Sequence, residues 1–226
     1  GILHKVDETS KYRYNIWEAM QPTSSPELFG GEMGVDSVAK FLYSFNVSEY
    51  IMGTPGPIEN GVQTYLDSTL VYSNELLNTY RGIGDIDNED STYTVYLPTN
   101  RLWNEFQEKY GKHFNYDTKS MVKPEKMDSA YMDSLMFMYP RLNFVKYLSF
   151  SNRENEKYVD PDSMMTANTD RYKRLRVARA DMDNYVVGEY GGVLSNGYLK
   201  VIDTLPYTVF ELWHDTIRVE AENENM

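Results

Sequence analysis

Thr92-Tyr93-Thr94-Val95-Tyr96-Leu97-Pro98-Thr99-Asn100-Arg101-Leu102-Trp103 is the stretch whose reading decides the fold. Residues 92–97 are rich in β-branched and aromatic types and predict a strand. Pro98 ends it, because proline has no amide hydrogen to give a ladder. Thr99 or Asn100 can then accept a bond from the first free amides of a helix. Leu102, Trp103, Phe106 and Tyr110 follow at helical spacing and form one apolar face. The unit is strand, tight turn, capped helix, and Pro98, Thr99 and Asn100 are its structural residues.

A second stretch ends the ordered pattern: Asn196-Gly197-Tyr198-Leu199-Lys200-Val201-Ile202-Asp203-Thr204-Leu205-Pro206. Asn196-Gly197 is a turn signal, and Gly197 permits a positive φ just before a strand. Residues 198–203 form that strand, Leu205-Pro206 stops it, and Asp203 closes it as a structural polar anchor able to bond nearby amides.

Working outward, Tyr14, Ile16, Trp17, Ala19 and Met20 predict a short helix stopped near Pro22. Turn residues follow at Thr23-Ser24-Ser25-Pro26 and Gly30-Gly31. Val38, Phe41, Leu42 and Phe45 recur at helical spacing, with Ser37 as N-cap. Gly53-Thr54-Pro55-Gly56-Pro57 reads as a loop. Leu66, Leu70, Leu76, Leu77 and Tyr80 predict a helical run, with Ser73 capping its second piece and Gly82 ending it. The acidic run Asp85-Ile86-Asp87-Asn88-Glu89-Asp90 reads as a solvated turn. Pro124 opens a further helix through Met127, Tyr131, Leu135 and Met138, which Pro140 breaks before Leu142, Val145 and Leu148. From Tyr172 the period becomes two: Leu175, Val177 and residues 185–187 predict strands separated by Asp181-Met182-Asp183-Asn184, with a turn at Gly191-Gly192. Helices in the first two-thirds and strands in the last third predict an α+β fold.

The chain has 226 residues, 41% hydrophobic and 25% charged, which is the composition of a folded protein. With 22 Lys+Arg against 34 Asp+Glu the net charge is −12, which argues against a nucleic-acid partner. The chain contains Cys 0, so no disulfide exists; this fits cytosol, periplasm or a bacterial surface. No apolar run is long enough to span a bilayer, and no signal peptide is visible. The opening Gly1-Ile2-Leu3-His4-Lys5 is not a start site, and we expect a piece of a longer precursor.

Reactive arrangements are missing from the sequence. There is no Gly-x-Ser-x-Gly elbow, no zinc helix and no phosphate loop. His4, His113 and His214 are far apart. In the acidic run, Asp90 stands where a calcium loop of the EF-hand type needs Gly, and Tyr96 where it needs Glu. We therefore expect no catalytic residue, no metal site and no cofactor. Tyrosine is abundant, Tyr 20, and reads as core more than as sugar-stacking platforms. Met132, Met136, Met138, Met164 and Met165 read as core filling.

Together the two stretches resemble the two signatures of fasciclin domains, in the right order and separated by a length that suits one domain. The sequence departs from the family at Leu97, where a small residue is usual, and at Leu102-Trp103, where Ala-Phe is usual. The family's Tyr-His pair falls on Tyr147-Leu148, so the integrin recognition linked to that region in animal members is not implied. The resemblance covers Val35 to Tyr207. It implies a twisted β-wedge with helices packed on one side over residues 35–207. Residues 1–34 would be an N-terminal segment packed on that domain, and 208–226 an extension or the start of a following module.

The function implied is a non-catalytic adhesion or interaction module that binds a protein or polysaccharide at the cell surface. The protein would be exported, to a bacterial surface through a lipid-anchored precursor or to the periplasm. Its ligand-binding residues are unknown from sequence. The alternative is a carbohydrate-binding accessory or a glycoside-active enzyme, working through a carboxylate pair and Tyr/Trp platforms. A broad apolar or tyrosine-rich patch favours the first reading; convergent carboxylates flanked by aromatics favour the second.

Overall fold

The computed structural model describes residues 13–80, 82–110, 137–138, 140–142, 144–151, 162–168 and 176–204. The expected helix opened by Pro124, the three histidines, the stop at Leu205-Pro206 and the polar tail lie outside the described residues. In chain order the helices are α1 (Ile16–Ala19), α2 (Asp36–Tyr43), α3 (Asn100–Tyr110), helical residues 137–138, 140–142 and 144–146 taken together as α4, and α5 (Arg179–Asp183). The strands are β1 (Asn46–Met52), β2 (Pro55–Glu59), β3 (Val62–Tyr65), β4 (Ser68–Asn74), β5 (Tyr93–Pro98), β6 (Ser149–Ser151), β7 (Ser163–Thr166), β8 (Arg176–Ala178), β9 (Val186–Glu189) and β10 (Gly197–Ile202). The fold is mixed α+β.

β5 is buried along its whole length because it lies inside a six-stranded sheet of order β8-β7-β6-β5-β10-β9. It pairs antiparallel with β6 and parallel with β10, from Gly197 opposite Tyr93 to Ile202 opposite Pro98. The two stretches quoted above are therefore neighbours in space. β8 and β9 occupy opposite edges of this sheet, yet only residues 179–185 join them and most of those are coiled in α5. Six flat strands span about 24 Å at the usual interstrand spacing, more than that linker comfortably crosses, so the sheet curls. Its curl brings Tyr96 of β5, Met164 of β7 and Asp183 of α5 together: the Tyr96 hydroxyl donates to Asp183 Oδ1 at 2.8 Å and lies 3.8 Å from Met164 Sδ.

Helices cover the sheet with the apolar faces their spacing predicts. Leu102, Trp103 and Phe106 of α3 are buried, and Phe106 stacks on Phe144 with ring centroids 4.2 Å apart. Ile16, Ala19 and Met20 belong to the same core as Val95, Leu97 and Val201, so the N-terminal residues 14–34 are built into this body. Side chains of this size each contribute about 1.5–3 kcal/mol on burial.

Several local expectations need correcting. Val35 is the N-cap of α2, and Ser37 lies inside its first turn. Residues 181–183, expected as a loop, belong to α5. The largest correction concerns residues 46–74, where a loop and a helical run were expected. They form four strands, so strands are not confined to the last third of the chain. β1 pairs with β4, and β2 with β3, each antiparallel. The turn between β2 and β3 is Asn60-Gly61, with φ of 50° and 80°, the left-handed pair that a tight hairpin needs. Leu66 and Leu70, four residues apart, share a face in a strand as well as in a helix, so that spacing could not separate the two. Ser73 caps nothing; it lies in β4 opposite Val47.

Gly197 has φ 141°, and a Cβ there would be driven into the carbonyl of Tyr93. Gly197→Ala is expected to cost about 2–4 kcal/mol, combining strain with a backbone clash. The urea midpoint, compared at equal slope with the wild type, measures it.

Candidate functional site

The six residues singled out in the sequence lie at the two ends of the β5–β10 pair. At one end, the Asn196 side chain is fully buried. It accepts the Ile16 amide at 2.8 Å and donates to the carbonyls of Ile86 at 2.8 Å and Asn88 at 3.2 Å. Its own carbonyl accepts the Tyr93 amide at 2.9 Å. The acidic run is thereby folded against the N-terminal segment. Asn15 donates to the Asp87 carbonyl at 3.3 Å, and Ser195 donates to Glu89 at 3.1 Å. Burial, followed by the negative charge of Asp85, raises the Asp87 pKa, although Asp87's own amide works against it.

At the other end, Pro98 closes β5 opposite Ile202, and the Thr99 amide donates to the Ile202 carbonyl at 2.9 Å. Thr99 Oγ1 accepts the Leu102 amide at 3.2 Å, the bond of a helix N-cap, and donates its proton to Asp203 Oδ1. Arg101 closes on the same carboxylate through Nε, at 3.2 Å, and through its terminal nitrogen. Burial pushes the Asp203 pKa up, but the bonds from Arg101 and Thr99 and the Arg101 charge outweigh it and hold the group below its ordinary value. Asn100 works on a different helix. Its Oδ1 accepts the Ser37 amide of α2 at 2.7 Å, while its Nδ2 donates to Gly31 O at 2.8 Å and Asp36 Oδ2 at 2.9 Å. The free amides of Asn100 and Arg101 are taken by the carbonyls of Gly34 and Glu32, at 2.7 and 3.0 Å. All six residues thus have folding work that accounts for their type.

A further polar cluster lies inside the curl. Tyr96 is fully buried, and Asp183 accepts from both its hydroxyl and Lys200 Nζ, the latter at 2.7 Å. Burial above all, then the bond to Asp183 and its charge, push the Tyr96 pKa far up, against a small opposing effect of Arg179. The phenol stays neutral and is unavailable as a nucleophile near neutral pH. Among the described residues no three His, Cys, Asp or Glu side chains converge as metal ligands, and no helix is long and apolar enough to cross a membrane.

The exposed chemistry is elsewhere, on the arm formed by β1 to β4. Asn74, buried at its base, donates to the Leu42 carbonyl at the end of α2 at 2.9 Å and to Asn46 Oδ1 at 2.8 Å. Asp67 marks the middle of the arm, accepting the Thr54 amide at 2.6 Å on its side chain and the Gly53 amide at 3.1 Å on its backbone. Side chains alternate along the β1–β4 ribbon, so Ser48, Tyr50, Met52, Leu70 and Tyr72 share one face and Val47, Glu49, Ile51 and Val71 the other. Tyr72 is 75% exposed, Leu66 71% and Tyr50 65%. A two-stranded ribbon with apolar residues open on both faces is not what a solvated hairpin needs; such patches mark interaction surfaces. From Asn46 to Tyr80 the chain carries Glu49, Glu59, Asp67 and Glu75 and no Lys or Arg. Asn60-Gly61, flanked by Ile58 and Val62, was the sequence signal for this arm.

The tyrosines divide between the core and the surface of the arm and body. Tyr93 and Tyr96 are core, while Tyr50, Tyr72, Tyr80 and Tyr198 are exposed. No protein-family model, curated protein or solved structure matches the chain.

Thr99→Ala and Asn100→Ala are each expected to cost about 1–2 kcal/mol, since each removes a helix cap; equal urea midpoints in mutant and wild type would refute this. Asp203→Asn is expected to change the acid limb of stability. The lowered pKa means that the carboxylate contributes fully above the unfolded carboxylate value, about 4, and that its contribution is lost as pH falls through the folded value. Thermal melts from pH 7 down to about 2 should show a variant that is less stable near neutral pH and has a flatter acid limb, the two curves converging below the folded value.

Proposed function

We propose that this chain is a non-catalytic interaction module of fasciclin-like fold, a twisted β-wedge with helices on one side, which binds a protein or polysaccharide through its arm. The single observation that carries the reading is the β1–β4 ribbon, exposed and apolar on both faces, with Tyr50, Leu70 and Tyr72 together on one of them. Tyrosines of this kind supply large contact area at little entropic loss. The fasciclin-like assignment rests on the two sequence signatures and is supported by their meeting at the two ends of adjacent parallel strands. The place of action that suits it is outside the cytoplasm, on a bacterial surface or in the periplasm, in keeping with a cysteine-free chain of net charge −12.

The test is a paired screen of glycans and surface proteins for binding and for cleavage, run on wild type and on Tyr50→Ala/Tyr72→Ala. Saturable binding without turnover is expected, weakened at least about tenfold in the variant, as for hot-spot aromatics. Its melting temperature should be nearly unchanged, because both side chains are exposed. Turnover of a glycan, abolished by changing one carboxylate in a protein that stays folded, would instead establish the glycoside-active alternative.

A further inference from the structure

The chain contains the dipeptide Asn-Gly twice, at 60–61 and at 196–197. Chemically the two pairs are alike. Glycine has no Cβ, so its amide nitrogen can reach the side-chain amide of the asparagine before it with little hindrance. A five-membered ring then closes on that amide carbon. The structure places the two pairs in opposite surroundings, and the surroundings decide which of them reacts.

Asn196 is fully buried. Its side-chain nitrogen, the group that must leave, donates to the carbonyls of Ile86 at 2.8 Å and Asn88 at 3.2 Å. Its side-chain oxygen accepts the Ile16 amide at 2.8 Å. Gly197 is fixed opposite Tyr93, where there is no room even for a Cβ. Ring closure here requires the clasp to come apart. Asn60 and Gly61 form the turn between β2 and β3, and both are exposed. A Cβ at Gly61 would meet nothing within 4 Å. Among the described residues no hydrogen bond holds the Asn60 side chain. Ring closure turns the Asn60 backbone out of its left-handed conformation, so the reaction waits for the hairpin to open. Opening costs little. β2 and β3 form a sheet of two strands only, and their register is interrupted between Pro55 and Ile58. Pro55 and Pro57 have no amide hydrogen to add to the ladder.

We propose that Asn60 is a site of spontaneous covalent modification and that the fold protects Asn196 from the same reaction. The Gly61 nitrogen attacks Asn60 Cγ. A carbon–nitrogen bond forms, the side-chain nitrogen leaves as ammonia with the Gly61 amide proton, and a succinimide results. Water then opens the ring at either carbonyl. Opening at Cγ leaves aspartate; opening at the main-chain carbonyl leaves isoaspartate, with the backbone running through Cβ and Cγ. Water is the only other reactant. Both products add a negative charge to a stretch that carries Glu49, Glu59, Asp67 and Glu75 and no Lys or Arg. Isoaspartate also lengthens the main chain by one carbon, which a two-residue turn cannot absorb without losing its geometry. The arm thus carries a one-way chemical change from which the clasp of the body is shielded. The inference goes beyond the proposed function, since it requires no ligand and stands whatever the binding screen finds.

The experiment holds the full chain in warm, mildly alkaline buffer and maps its peptides by mass spectrometry over time. Isoaspartate is counted by enzymatic methylation, and a parallel sample is kept unfolded in guanidinium chloride. In the folded chain, position 60 should gain the mass of one deamidation, with isoaspartate, within about tenfold of its unfolded rate, as a marginal hairpin allows. Position 196 should react at least about a hundredfold more slowly than position 60, because it opens only with the clasped seam. In guanidinium chloride the two positions should convert at comparable rates. Asn60→Gln, whose ring would need one more carbon, should lose the folded-state product. That side chain is exposed, so a circular-dichroism melt should be unchanged. Slowing of position 60 by a hundredfold on folding, equal rates at both positions in the folded chain, or folded-state isoaspartate that persists in Asn60→Gln would each overturn the proposal.

Discussion

The parallel pairing of β5 with β10 is the constraint on which the rest of this protein depends. Parallel neighbours cannot be joined by a tight turn, so residues far apart in the chain must be brought into register and held there. The structure holds them at both ends. Asn196 ties the start of β10 to Ile16, Ile86 and Asn88. Thr99, Arg101 and Asp203 tie the exits of the two strands together. Between the clasps, Val95, Leu97, Leu199, Val201 and Ile202 are buried. Most of the stabilisation comes from that burial, and the clasps decide the register. Buried amide and carboxylate groups suit this role, because any slip would leave them without partners.

Those clasps were legible in the sequence because their requirements are local. A strand that stops at Pro98 and turns into a helix needs a cap at Thr99, and a strand that starts from Gly197 needs a residue free of Cβ. What sequence could not show was the distant partner: that Asn100 caps α2 instead of its own helix, that Asn196 gathers three separate segments, or that Asp203 binds Arg101. Each depends on which strands become neighbours. The arm was misread for a different reason. Leu66 and Leu70 satisfy both helical and strand periods, whereas the Asn60-Gly61 turn and the run Thr69-Leu70-Val71-Tyr72 favour strands. Local chemistry outweighed an ambiguous spacing.

A division of labour follows. The curled sheet and its helices form a body in which the clasp residues and the buried Tyr96 hydroxyl are occupied by folding contacts. The arm reaches out from the end of α2 through the single buried anchor Asn74 and places its aromatic residues in solvent. Apolar surface held away from the core does not stabilise the chain that carries it; it becomes useful when something covers it.

Amide hydrogen exchange, resolved by residue, tests this account most directly. If the clasped seam organises the body, the amides of Val95, Leu97, Leu199 and Val201 exchange only through global unfolding, with equal opening free energies. Amides of the exposed arm, residues 46–73, open at far lower cost. Exchange of the seam at the rate of the arm, or a seam whose two strands open at different free energies, would contradict it.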